Sequence, residues 1–173
     1  MKRRILFIFA IAVFVACFSA CGYHFSGSGS YPAGVKLIFV TLLENKTAET
    51  GVESTFTNDL IYEFTRNRKE SLARERSSAD GILSGTIARL SVANITRTSV
   101  STATERRVTG IVTLRLESPE GQLLWNSGNI VESEAYAVVA GDKMATDRNK
   151  SEAIATLSQK MAESAFNRLT EDF

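Results

Sequence analysis

The sequence predicts an α+β fold, a two-layer sandwich in which a four-stranded, mostly antiparallel sheet packs on two helices in the order β-α-β-β-β-α. Three observations carry that prediction. An apolar, β-branched run at 35–43 is followed by a stripe recurring every four residues. A segment of strict period two at 108–117 ends in a turn and is followed by a returning strand. Near the C-terminus a long segment gathers its apolar residues on one helical face. Helices with one apolar stripe and a sheet with one apolar face must bury these against each other, which sets two layers. With 173 residues, 44% hydrophobic and 23% charged, the composition is that of an ordinary globular chain and the length suits one domain, placed at 35–173.

Taken in order, Val35 to Leu43 (VKLIFVTLL) reads as the first, buried strand. Glu44-Asn45-Lys46-Thr47 ends it in turn-forming residues, and Thr50-Gly51-Val52-Glu53 has the spacing of a capping box. Val52, Phe56, Leu60 and Phe64 then form the stripe of a helix ending near Asn67, with Ile61 beside them and Glu53, Asn58, Asp59 and Glu63 facing out. From Arg66 to Arg76 the chain is strongly charged and reads as a solvated connection. Ala79 to Val92 is a second strand with a bulge or close backbone approach at Gly81 or Gly85. Ala93 to Thr104 is polar and forms a hairpin tip or loop. Val108, Gly110, Val112, Leu114 and Leu116 alternate with Thr109, Ile111, Thr113, Arg115 and Glu117, the clearest strand in the chain. Ser118-Pro119-Glu120-Gly121 supplies a type I turn into a fourth strand over 122–136. Ile154, Leu157, Met161, Ala165 and Leu169 mark one face of a helix from about Asn149, which Asn149-Lys-Ser-Glu152 can cap.

The N-terminus reads as an export signal. Lys2, Arg3 and Arg4 precede an apolar run, Ile5 to Ala16, too short for a membrane span of about 20 residues. Phe18-Ser19-Ala20-Cys21 then places small residues before a cysteine, the pattern of a lipobox. Residues 1–20 are thus the lipoprotein signal peptide, and 21–34 are a lipidated Cys21 with a Gly/Ser tether. Cys17 is a rival site within the apolar run, and ordinary secretion with a cleaved signal is an alternative. Several acyl chains anchor stably where one binds marginally.

The same arithmetic excludes much chemistry. Cys17 and Cys21 are the only cysteines and His24 the only histidine, so disulfides, zinc sites and Ser/His/Asp triads are hard to build. No enzyme, metal or cofactor is expected. Asp142 with Asp147, and Glu132 with Glu134, read as solvated charge. Without Lys2, Arg3 and Arg4 the mature part has 17 basic against 19 acidic residues, so no global basic footprint for nucleic acid exists.

Cys21-Gly22-Tyr23-His24-Phe25 after the lipobox, Phe39 through Glu44-Asn45-Lys-Thr47, Gly51-Val-Glu53, Ala79-Asp80-Gly-Ile-Leu-Ser-Gly85 and Gly121-Gln-Leu-Leu-Trp125 follow one another in an order that resembles the LPS-assembly lipoprotein family LptE. The proline that members carry shortly before the Phe and Asn of the first strand is absent, with Thr41 and Leu42 where it is sought. The resemblance implies a lipoprotein on the periplasmic side of the outer membrane, held by its N-terminal lipid. It also implies a partner, the outer-membrane β-barrel LptD, in which the lipoprotein lodges as a plug and assists assembly, and a ligand, lipopolysaccharide. Arginines are natural partners for lipopolysaccharide phosphates, so Arg97, Arg106 and Arg107 on the second hairpin, with Arg89 and Arg115 on its flanks, are the contact candidates. Uncharged Ser101 to Thr104 stands where other members carry a basic residue. A free periplasmic lipid- or ligand-binding lipoprotein, using a cleft between sheet and helices, is the alternative.

Overall fold

A computed structural model describes residues 31–68, 71–95 and 104–171. It is the predicted sandwich: a sheet of β1 (Ile38–Val40), β2 (Glu44–Asn45), β3 (Gly81–Ile95), β4 (Thr104–Glu117) and β5 (Leu123–Val138), with helices α1 (Val52–Arg68) and α2 (Lys143–Glu171). The order across the sheet is β1-β3-β4-β5, with β2 also on β3. β1 and β2 run parallel to β3, and the other pairs are antiparallel.

The strand count differs from the expected four because the first strand is interrupted. Val40 still pairs with Leu83, and Thr41 donates its N–H to the Leu83 carbonyl at 2.9 Å. The Leu43 N–H instead turns to the Thr57 hydroxyl on α1, 3.0 Å away, which pulls the chain out of the ladder and buries Leu43 while Leu42 is left 64% exposed. Pairing resumes at Glu44 opposite Thr86.

Between β2 and α1, Asn45 organises the turn. Its Oδ1 accepts from the N–H and hydroxyl of Thr47, and its Nδ2 donates to the Glu49 carbonyl and, at 2.9 Å, to Glu53. The predicted helix follows over 52–68, with Val52, Phe56, Leu60 and Phe64 all buried. Two of its side chains differ from expectation. Glu63 is buried, because Arg66 and Asn67 one turn on each donate to its Oε1 at 2.8 Å. Ile61 is exposed rather than part of the stripe.

Gly85 is where backbones close on one another: a Cβ there would stand 2.3 Å from Leu114 Cδ2 and 2.8 Å from the Thr113 carbonyl oxygen. The β3 bulge lies elsewhere, between Ile87 and Arg89. The 118–121 turn closes with the Gly121 N–H on the Ser118 carbonyl at 2.9 Å and Gly121 at positive φ.

α2 begins six residues before the expected Asn149. Asp142 is its cap, its Oδ1 accepting the Ala145 N–H at 2.9 Å, and the Thr146 hydroxyl receives the Val139 N–H. Asn149 serves another end, donating to the Ala137 carbonyl on β5. Arg168, near the other end of α2, donates to the carbonyls of Ser127 and Asn129. These side chains satisfy backbone acceptors of the edge strand. On the opposite edge, Leu72 bridges Ile38 and the Ala73 N–H bonds its carbonyl.

The core lies between the layers. Leu157 and Met161 reach Gly110 on β4 so closely that a Cβ there would meet them at 3.0 and 3.1 Å. Phe64 of α1 meets Phe166 of α2 edge to face at 5.2 Å. The folded body starts before Val35, because Tyr31 and Pro32, assigned to the tether, are buried. The Tyr31 hydroxyl shares a hydrogen bond of 2.8 Å with Ser71, and burial raises its pKa above the ordinary tyrosine value.

Candidate functional site

β4 separates two faces. Val108, Gly110, Val112, Leu114 and Leu116 are buried under the helices, whereas Arg107, Thr109, Ile111, Thr113 and Arg115 lie on the face the helices leave open. Register carries that face across the sheet. Thr113 lies between Thr86 and Asn129, Thr109 between Ser91 and Ser133, and Arg115 between Ser84 and Asn126.

Three of the five candidate arginines share this face. Arg107 and Arg115 reach it by simple alternation. Arg89 stands opposite Ile111, whereas alternation from buried Ile87 would have turned it under the helices; the bulge between them reverses its side. All three are exposed. They do not form one cluster: eight residues separate Arg107 from Arg115, about 26 Å along an extended strand, with Arg89 opposite the midpoint. Arg106 falls on the other face, beside Val108 in the alternation, and its Nε donates to Asn94 Oδ1 at 3.0 Å. Arg97 and Cys21 lie outside the described residues.

Near Arg115 the interruption between β1 and β2 leaves a depression of about 390 Å³, lined by Glu44, Lys46, Thr86, Thr113 and Arg115 among others. The hydroxyl of Thr86 donates to Glu44, which also pairs with Lys46 at 3.3 Å. This is an open, mixed-charge surface with hydroxyl, guanidinium and ammonium donors.

Between β5 and α2 a groove of about 310 Å³ opens along Glu134, Tyr136, Asn149, Glu152 and Thr156, but beneath the centre of the sheet the described residues are tightly packed. The void bounded by Leu43, Phe56, Leu60, Val112, Leu114 and Met161 holds about 10 Å³, hardly one water and far less than an acyl chain. The paired carboxylates have structural partners: Glu132 accepts from Ser164, Glu134 pairs with Lys160 at 2.6 Å, and Asp147 pairs with Lys143. Among the described residues no group of His, Cys, Asp and Glu is arranged to hold a metal ion, and no helix is long and apolar enough to cross a membrane.

Sequence reasoning missed two polar features. Asn45 was visible as a turn former, but its link to Glu53 joins residues eight apart through a fold-dependent turn. Buried Glu63 carried a signal in Arg66 and Asn67 at helical spacing.

Comparison with known proteins separates fold from family. The crystal structure of a minor lipoprotein from Acinetobacter baumannii superposes with a TM-score of 0.53 at 13% identity, covering 80% of this chain and 93% of that one. The solution structure of an uncharacterized lipoprotein B from Nitrosomonas europaea gives 0.50 at 9% identity, covering 80% and 84%. At such identities these likenesses establish a shared fold. A search of curated proteins finds no match. The family model for LptE, described as lipopolysaccharide-assembly, matches residues 35–169, which spans both helices and all the strands but the last two residues of α2. The chain therefore belongs to the LptE lipopolysaccharide-assembly family.

Proposed function

We propose that this chain is an outer-membrane lipoprotein, anchored on the periplasmic side through diacylglycerol on Cys21 after removal of residues 1–20. It plugs an LptD-type β-barrel, assists the barrel's assembly and takes part in delivering lipopolysaccharide to the outer leaflet. Its role is binding and assembly rather than catalysis.

The observation that supports this reading best, beside family membership, is the uncovered polar face of the sheet. A plug must present polar side chains to a polar barrel interior, and here Ser84, Thr86, Arg89, Thr109, Thr113, Arg115, Asn129 and Ser133 do so from three adjacent strands. The arginines also suit lipid phosphates, to which a guanidinium donates two parallel hydrogen bonds. The filled space beneath the centre of the sheet argues against the alternative of an acyl chain buried there, and the groove between β5 and α2 is lined largely by polar and small residues.

A mild-detergent pull-down of the C-terminally tagged protein from outer membranes of its host tests the proposal. A barrel-sized partner recovered at about one to one and retained in high salt is the expected outcome, since buried interfaces are screened far less than surface charge. Recovery of the protein alone, with or without bound lipid, would overturn it.

A further inference from the structure

The chain carries a second basic region, on the β1 edge of the fold and next to the point where the anchor segment enters it. Residues 66–76 (RNRKESLARER) hold five basic and two acidic residues, in a mature part that is net acidic. The fold brings Arg68 and residues 71–73 of this stretch around Tyr31 and Ile38. The Arg68 guanidinium stands 5.2 Å from the Tyr31 ring centroid, Ser71 bonds its hydroxyl, and Leu72 and Ala73 pair alongside Ile38. Arg74 and Arg76 follow on the same edge and are exposed, as is Lys36. The neighbouring acids are partly occupied: Glu63 is buried under Arg66, and Asp80 Oδ2 accepts the N–H groups of Lys36 and Leu37.

We infer that this edge, with Arg68, Arg74, Arg76 and Lys36, rests on the anionic phospholipid headgroups of the leaflet that holds the anchor. The inference depends on the anchor at Cys21 proposed above. Ten residues separate Cys21 from buried Tyr31, a span of at most about 35 Å, so the edge beside Tyr31 is the part of the described fold kept nearest the membrane. The hairpin end of β3 is fourteen residues from its start, about 46 Å further along. A run of clustered basic residues beside a membrane attachment point is attracted to anionic lipid, within a range of about 10 Å set by salt. Packing of Tyr31 against Ser71 and Phe64 makes the orientation specific, since it fixes which edge the tether leaves from.

The test uses the purified, processed full-length protein with two vesicles, pure phosphatidylcholine and about one part phosphatidylglycerol in four parts phosphatidylcholine. Flotation with the neutral vesicles reports the anchor by itself. Hydrogen exchange over 71–80 reports the edge, and slower exchange on the anionic vesicles than on the neutral ones is expected, reverting at high salt. Arg74→Gln with Arg76→Gln should abolish that difference while leaving flotation and the slow exchange of β4 unchanged. Arg107→Gln with Arg115→Gln should leave it intact. Equal exchange of 71–80 on both vesicles, or a difference confined to the open sheet face, would overturn the inference even if the protein floats. Failure to float on neutral vesicles would instead strike the anchor, and the 71–80 difference on anionic vesicles would still decide the edge.

Discussion

The two faces of β4 are made by one strand and respond to different demands. On one, Val108, Val112, Leu114 and Leu116 are each no more than 3% exposed and meet α1, α2 and Leu43. On the other, Arg107 and Arg115 are exposed and Thr109 and Thr113 half-buried, on the side of the sheet that the described helices leave open. The covered face carries the stability, because apolar burial contributes roughly 25 cal/mol per Å². The open face carries little, so its residues are free to be chosen for a partner.

The largest expected effect comes from emptying the covered face. Leu157→Ala removes a fully buried side chain between α2 and Gly110 and should destabilise by roughly 2–5 kcal/mol, read as a lower denaturant midpoint. An unchanged midpoint would mean the two layers do not depend on each other as described. Overfilling the same face comes next. In Gly85→Ala the new methyl collides with Leu114, Leu43 and the Thr113 carbonyl, for a loss of about 1–3 kcal/mol.

A smaller effect sharpens the boundary between sheet and helix. The Glu53 carboxyl is held below its ordinary value of 4.5 by backbone N–H groups of Glu53 and Gly51 and by the Asn45 amide. A lowered carboxyl stabilises the fold above its unfolded value, and that contribution fades as pH falls through the folded one. Glu53→Gln should therefore be less stable than the parent at neutral pH, with the gap closing below about pH 4.5 in paired melts at each pH.

The smallest stability effect belongs to the open face. Replacing Arg89, Arg107 and Arg115 together by Gln should move stability by no more than about 0.5 kcal/mol per site. If the proposed function holds, the same variant should weaken recovery of the proposed barrel partner or of lipopolysaccharide in the pull-down. A large loss of stability would show that these arginines belong to the fold instead.

Much of the architecture was legible because periodicity is local. Period two over 108–117 fixed both faces of β4, and the four-residue stripe placed Phe56, Leu60 and Phe64 inside. The turn at 118–121 was written in Pro119 and Gly121. The start of α2 was missed although Asp142 is a good cap residue, because the apolar stripe becomes continuous only from Ala153. The split of the first strand was invisible, since it depends on Thr57, fourteen residues away, accepting the Leu43 N–H.

The candidate arginines divide along the same line. By itself the sequence determined which residue types stand on which strands, and alternation alone put Arg107 and Arg115 opposite the core and Arg106 beside Val108. Only the tertiary structure decided the rest. The bulge after Ile87 turned Arg89 to the open face, and the burial of Tyr31 brought it against Arg68 and Ser71 at the basic edge. A side chain's direction within a strand follows from its immediate neighbours, whereas a bulge or a long-range contact is set by the partner strand or helix that must fit against it.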